Sequence, residues 1–313
     1  MEESPVQVNA PLDSLNALLE TDSTNAQALY QRAKLHYNEK RLGPARDDID
    51  RCVGIDENFV DAWLLRGEIY YVVNQTRFSR DSWEYCAQLD KANIDCRMRL
   101  AELYYAVGEY EKSMQNLNEI LDINSRQPVA LFMKGSLLKE VGDTTNAILF
   151  IQQALDADPN YFDAYDMIGV LLAAQMKPLC IEYYKKALQV RPNSSDIYFK
   201  MGVFYQDTQQ WNQALESYTR AVQLDGNNKF AFYNLGYVYV TLTVWDEGVK
   251  AFSGAILADE MYFQAYYGRA FCYESKGMLE QAKIDYEAAL NINPDYRAAK
   301  EGLGRVAKNL ELR

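Results

Sequence analysis

The sequence predicts an all-α solenoid of stacked helical hairpins, and three observations carry that prediction. A set of residue types returns at a step of about 34 positions along most of the chain. Within each step, apolar residues recur at three- and four-residue spacing, as in amphipathic helices of about a dozen residues. Turn-forming glycines and prolines stand at fixed places between the apolar runs.

The register is clearest around Phe232, Leu235, Gly236, Tyr239, Phe252 and Ala255. One step earlier stand Tyr198, Met201, Gly202, Tyr205, Tyr218 and Ala221. One step later stand Tyr266, Ala270, Tyr273, Ala282, Tyr286, Ala289 and Pro294. Upstream it returns as Trp63, Gly67 and Tyr70, and as Leu131, Gly135, Ala147, Ala154 and Pro159. This pattern resembles the tetratricopeptide repeat, a helix–turn–helix unit of 34 residues. On that resemblance eight repeats fall at 26–59, 60–93, 94–127, 128–161, 162–194, 195–228, 229–262 and 263–296. The resemblance implies a right-handed superhelical solenoid with a capping helix at each end.

Taken in chain order, residues 1–11 are polar and proline-bearing, and are expected to form a flexible N-terminal tail. Residues 12–25 are expected to form an N-terminal capping helix over the first repeat. In the first two repeats Arg32 and Arg66 stand where an apolar residue is usual, and no proline closes the first three. The third repeat offers Leu100, Tyr104, Met114, Leu117 and Ile120 as its buried seam. Small residues (Ala33, Gly67, Ala101, Gly135, Gly169, Gly202, Gly236, Ala270) recur where paired helices are expected to cross. Glycine in a helix interior costs about 1 kcal/mol against alanine, so its repetition implies close packing. Gly108, Gly142 and Gly277 suit left-handed caps inside repeats. Pro159, Pro192 and Pro294 suit the turns between repeats, where a missing N–H is harmless. Repeat 162–194 is one residue short, and Pro178 is expected to open its second helix. Residues 297–313 predict a C-terminal cap, with Leu303, Val306 and Leu310 inward and Arg297, Lys300, Arg305 and Lys308 toward solvent.

Composition narrows the function. Lys+Arg number 32 and Asp+Glu 44, for a formal charge of -12, and no basic run interrupts the balance. Such a surface repels phosphate backbones and anionic lipid, which disfavours nucleic-acid and membrane-surface roles. No stretch approaches the roughly 20 apolar residues of a membrane span. The first residues carry neither a basic flank nor an apolar core. The compartments left open are the cytoplasm, or the periplasm for a lipoprotein whose signal has been removed.

Five scattered cysteines (Cys52, Cys86, Cys96, Cys180, Cys272) without paired spacing read as buried free thiols, not as a zinc site. Cys86 and Cys96 are near enough in sequence to meet across one inter-repeat turn. The single histidine, His36, falls in the register of Tyr70, Tyr104, Tyr205, Tyr239 and Tyr273, which reads as packing. Phosphate-binding loops, nucleophile elbows and H-E-x-x-H are absent. The expectation is therefore a non-enzymatic protein, without cofactor or metal.

The resemblance further implies that first helices line a concave groove. Its register puts Tyr30, Leu64, Met98, Phe132, Asp166, Phe199, Tyr233 and Tyr267 in one row. A second row contains Tyr37, Tyr71 and Tyr105, and a third contains Lys34, Glu68, Glu102, Ser136, Val170, Val203, Tyr237 and Phe271. Solvent-facing aromatic side chains at a regular step would make an apolar strip of the kind that binds. The competing reading is that they pack between adjacent repeats. Asp163, Asp166 and Asp196 could anchor a Lys or Arg of a bound segment, and the net charge would favour a basic ligand. The paired lysines and asparagines of the subfamily that clamps chaperone C-termini are missing; Lys34, Arg99 and Lys200 read as isolated, and Asn234 stands without an asparagine ladder. The expected partner is another protein, held by a peptide or helical segment.

Overall fold

The computed structural model describes residues 10–312. It divides into two compact units, Met1–Asp158 and Pro159–Arg313. The first contains α1 (Ala10–Thr21), α2 (Ala26–Asn38), α3 (Leu42–Ile55), α4 (Val60–Val72), α5 (Thr76–Leu89), α6 (Ile94–Ala106), α7 (Tyr110–Ile123), α8 (Pro128–Glu140) and α9 (Thr144–Ala157). The second contains α10 (Phe162–Ala174), α11 (Cys180–Val190), α12 (Ser195–Asp207), α13 (Trp211–Leu224), α14 (Lys229–Thr241), α15 (Trp245–Ala258), α16 (Phe263–Ser275), α17 (Leu279–Ile292) and α18 (Arg297–Glu311). Among the described residues there is no strand. Within each unit, helices pair as consecutive hairpins, and each hairpin packs on the next.

The expected tail falls mostly outside the described residues, but its last two residues are helical. Pro11 is the second residue of α1, a place where proline's missing N–H breaks no intrahelical bond. Leu19 of α1 is buried in the cluster formed with Leu29, Ala33 and Ile49.

Glycine marks the crossings because a bulky side chain occupies the space opposite. A Cβ on Gly236 would lie 2.8 Å from the Phe252 ring, and one on Gly202 would lie 2.6 Å from Tyr218. Phe252 and Tyr218 are themselves buried, so neither ring can yield cheaply.

Every hairpin turns through one residue with positive φ. These residues are Lys40, Asn74, Gly108, Gly142, Met176, Gln209, Thr243 and Gly277, with φ between 54° and 85°. The expected glycines account for three of them, and ordinary side chains tolerate the left-handed region at the other five. In the short repeat, Pro178 lies in a turn ahead of α11 and does not open it. Cys180 N–H donates to the Lys177 carbonyl and Ile181 N–H to that of Pro178. The result is a helix of 11 residues, where α9 and α13 have 14.

The arginines at apolar positions are explained by ion pairs between helices. Arg32 on α2 donates from Nε and Nη2 to both oxygens of Asp48 on α3, at 2.7 Å each, and from Nη1 to Asn16 on α1. Arg269 on α16 repeats this with Asp285 on α17 and Ser253 on α15. Arg66 donates to Asp50 and to Ser82 Oγ. The apolar stems pack while the forked heads satisfy carboxylates, of which Asp48 and Asp285 are buried.

One cysteine expectation is overturned. Cys86 on α5 and Cys96 on α6 are joined by a disulfide, with Cα atoms 6.1 Å apart. In most of the other repeats the register puts small residues at these two positions, as in Ala255 and Ala265 or Ala289 and Ala299, with Ile120 and Ile197 as exceptions. Cysteine at both places therefore brings the two sulfurs together at the seam between hairpins. Cys52, Cys180 and Cys272 are free and buried, and burial pushes their thiols up to about 11, 11 and 12. Such thiols are unreactive.

Candidate functional site

The first helices of the hairpins carry the candidate rows, and the structure treats the rows differently. Most of the first row is drawn into the seams between hairpins. Tyr30 lies 4.9 Å from Phe59, just ahead of the next first helix. Tyr233 meets Tyr262 in the same way at 5.3 Å, and Tyr267 meets Tyr296 edge-on at 5.2 Å. Phe199 meets Tyr218 at 5.9 Å, while Leu64 and Met98 pack against buried core residues. Phe132 is half-buried. Burial first, and Asp61 and Glu68 next, raise the Tyr30 hydroxyl above its ordinary value.

Asp166, in the middle of this row, already has a cation. Lys200 Nζ lies 2.8 and 2.9 Å from its two oxygens and 2.6 Å from Asp196, and Arg191 stands 3.8 Å from Asp163. Two of the chain's own cations thus stand among the three carboxylates, and Lys200 is not isolated. Asp163 and Asp196 nevertheless keep side chains 58% and 64% exposed.

The other rows are more open. Tyr71 is 49% exposed and Tyr237 45%; Tyr37, Tyr105 and Phe271 are half-buried. Tyr105 leans on Tyr110, and Phe271 meets Trp245 edge-on at 6.1 Å. In the second unit, Val170, Val203, Tyr237 and Phe271 occupy one position on four successive first helices, so the third row is apolar there.

In the first unit the rows enclose a pocket of ≈ 130 Å³ between α2, α4 and α6. Tyr37, Tyr71 and Val72 contribute to its wall, with Leu103 and the indole of Trp83. Trp83 is fixed below Tyr71, its ring 5.8 Å away, and its Nε1–H donates to the Leu64 carbonyl. Glu68, Arg99 and Glu102 complete the lining. Arg99 donates to Glu68 at 3.0 Å and to Glu102 at 3.1 Å, so it too is not isolated. Burial opposes the Arg99 charge, yet Glu102 and Glu68 hold its ionisation above the ordinary value. Burial raises the Tyr37 hydroxyl, Glu68 adds to the rise, and Arg99 opposes it.

Sequence reasoning named Tyr37, Tyr71, Glu68 and Glu102 but not Trp83, Val72, Leu103 or the bridge that Arg99 makes between the two glutamates. The 34-residue step aligns side chains by row; it does not show which rows close around a space. His36 is buried with Nδ1 unpartnered and Nε2 3.9 Å from Asp48 Oδ2. That arrangement fits packing. Among the described residues, no group of three or more His, Cys, Asp or Glu could hold a metal, and no helix is long and apolar enough to cross a membrane.

Family models described as tetratricopeptide repeat match residues 128–161, 183–216 and 263–296, and a further TPR repeat model matches 205–242. Among solved structures, the C-terminal part of a TPR repeat-containing protein from Cytophaga hutchinsonii is similar with a TM-score of 0.65. It is 18% identical, over 76% of this chain and 98% of that one. YrrB, described as a TPR protein with an unusual peptide-binding site, is similar at 0.52 and 23% identity, over 59% of this chain and 96% of its own. These likenesses are likenesses of fold. No curated protein matches.

Proposed function

The chain is a tetratricopeptide-repeat protein, and we propose that it is an interaction scaffold that grips a peptide or helical segment of a partner protein on its first-helix face. Proteins of this family are typically non-enzymatic scaffolds. The observation that carries the reading is the pocket between α2, α4 and α6, which Tyr37 and Tyr71 from successive repeats line together with a buried tryptophan. Tyrosine supplies contact area and a hydroxyl at low entropic cost, and exposed aromatic groups of this kind mark binding surfaces. YrrB's description as peptide-binding agrees with the reading.

The test is the triple variant Tyr37→Ala, Tyr71→Ala, Tyr105→Ala. It is expected to lose cross-linked partners identified by mass spectrometry while keeping its helical circular dichroism. Unaltered capture by a folded variant would remove this end of the first-helix face from the proposal.

A second reading, a component of an envelope assembly or secretion machine outside the cytosol, is favoured by one observation. The Cys86–Cys96 disulfide suits an oxidising compartment, because such bonds are rare where thiols are kept reduced. Acid quenching of cells followed by alkylation under denaturing conditions and mass mapping should find these two cysteines protected while Cys52, Cys180 and Cys272 are labelled. Quantitative alkylation of both would exclude this reading.

A further inference from the structure

Resting on the reading of this face as the docking surface, we infer that the pocket between α2, α4 and α6 takes one lysine or arginine side chain of the guest. Its volume of ≈ 130 Å³ suits a single side chain, not a strand or helix. The wall is built for a side chain that is apolar along its length and charged at its end. Tyr71, Val72, Trp83 and Leu103 offer rings and methyl groups to an aliphatic stem. Tyr37 and Tyr71 offer ring faces to a cation.

The charge at the pocket has a definite sign. Two carboxylates, Glu68 and Glu102, flank one guanidinium, Arg99. Arg99 bonds Oε1 of Glu68 and Oε2 of Glu102, which leaves the second oxygen of each open to another donor. The local sum is one negative charge, in a chain whose formal charge is -12. A guest carboxylate would meet two glutamates for one arginine; a guest cation would complete the bridge. Arg99 itself demonstrates the preference, since a guanidinium already spans the two carboxylates. In the second unit Lys200 bonds both oxygens of Asp166 and one oxygen of Asp196, so Asp166 itself has none left for a guest.

Displayed random peptides of about 12 residues, selected on the full chain, test this directly. The selected peptides are expected to share one Lys or Arg. Replacing it by norleucine, which keeps the stem, should weaken binding about tenfold or more. The same replacement should leave binding to the E68Q/E102Q double variant nearly unchanged, with circular dichroism confirming its fold. Selected peptides without a shared cation, or with one whose loss matters equally in both proteins, overturn the inference alone. A shared acidic residue whose contribution disappears in Arg99→Ala would overturn it in favour of an anionic guest. Failure to select any peptide overturns the docking reading on which it stands.

Discussion

His36 shows how one side chain sets a pH dependence without any catalytic role. Its imidazole is buried, and burial lowers its ionisation below the ordinary value, with Arg41 and Arg32 adding to the effect and Asp48 opposing it. Asp48 is a weak rescuer because Arg32 already holds both its oxygens. In the unfolded chain the same group titrates near 6.5. Between the lowered folded value and about 6.5, the unfolded chain therefore binds more protons. The stabilisation is present above about 6.5 and is lost as pH falls through the folded value. The expected slope is at most about 1.4 kcal/mol per pH unit. Urea denaturation between about pH 7 and 5.5 should show it, and His36→Phe should flatten it. Equal slopes in the two proteins would show that His36 is not the source.

At the scale of the element, the hairpin turns carry strain that the sequence could correct. Thr243 sits at φ 59°, a left-handed conformation that costs an ordinary L-residue roughly 1–2 kcal/mol and a β-branched one no less. Gly277 occupies the equivalent place one repeat later at φ 74°. Thr243→Gly should raise unfolding free energy by about 0.5–1 kcal/mol, the relief being partly offset by the freer unfolded chain. Calorimetry can check the sign; a loss of stability would mean that the Thr243 side chain contributes more than its strain costs. The helices themselves were legible because period and amphipathicity repeat. The five non-glycine turns were not, since local composition gives no sign of positive φ once neighbouring hairpins impose it. The disulfide was legible only as an opportunity, for the sequence separation of Cys86 and Cys96 fits both a bond and two buried thiols. The candidate rows met a similar limit. Tyr30, Tyr233 and Tyr267 obey the same step as Tyr37 and Tyr71, yet seams absorb the first three. Which row faces a seam and which a pocket depends on the residues opposite, such as Phe59, Tyr262 and Trp83.

For the whole molecule, net charge decides how a guest arrives, while the pocket decides how long it stays. Repeats stabilise one another through neighbouring contacts, so the surface is free to carry an excess of carboxylates without weakening a single central core. A formal charge of -12 produces a field that accelerates the approach of a basic segment and slows an acidic one. That field is screened beyond about 10 Å at 0.1 M salt, whereas contacts inside the pocket lie closer than that. For a selected peptide bearing a Lys or Arg, the association rate should therefore fall by about tenfold or more between roughly 20 and 500 mM NaCl. Its dissociation rate should change much less. Stopped-flow measurement separates the two. An association rate indifferent to salt, or rising with it, would mean that the acidic surface plays no part in capture.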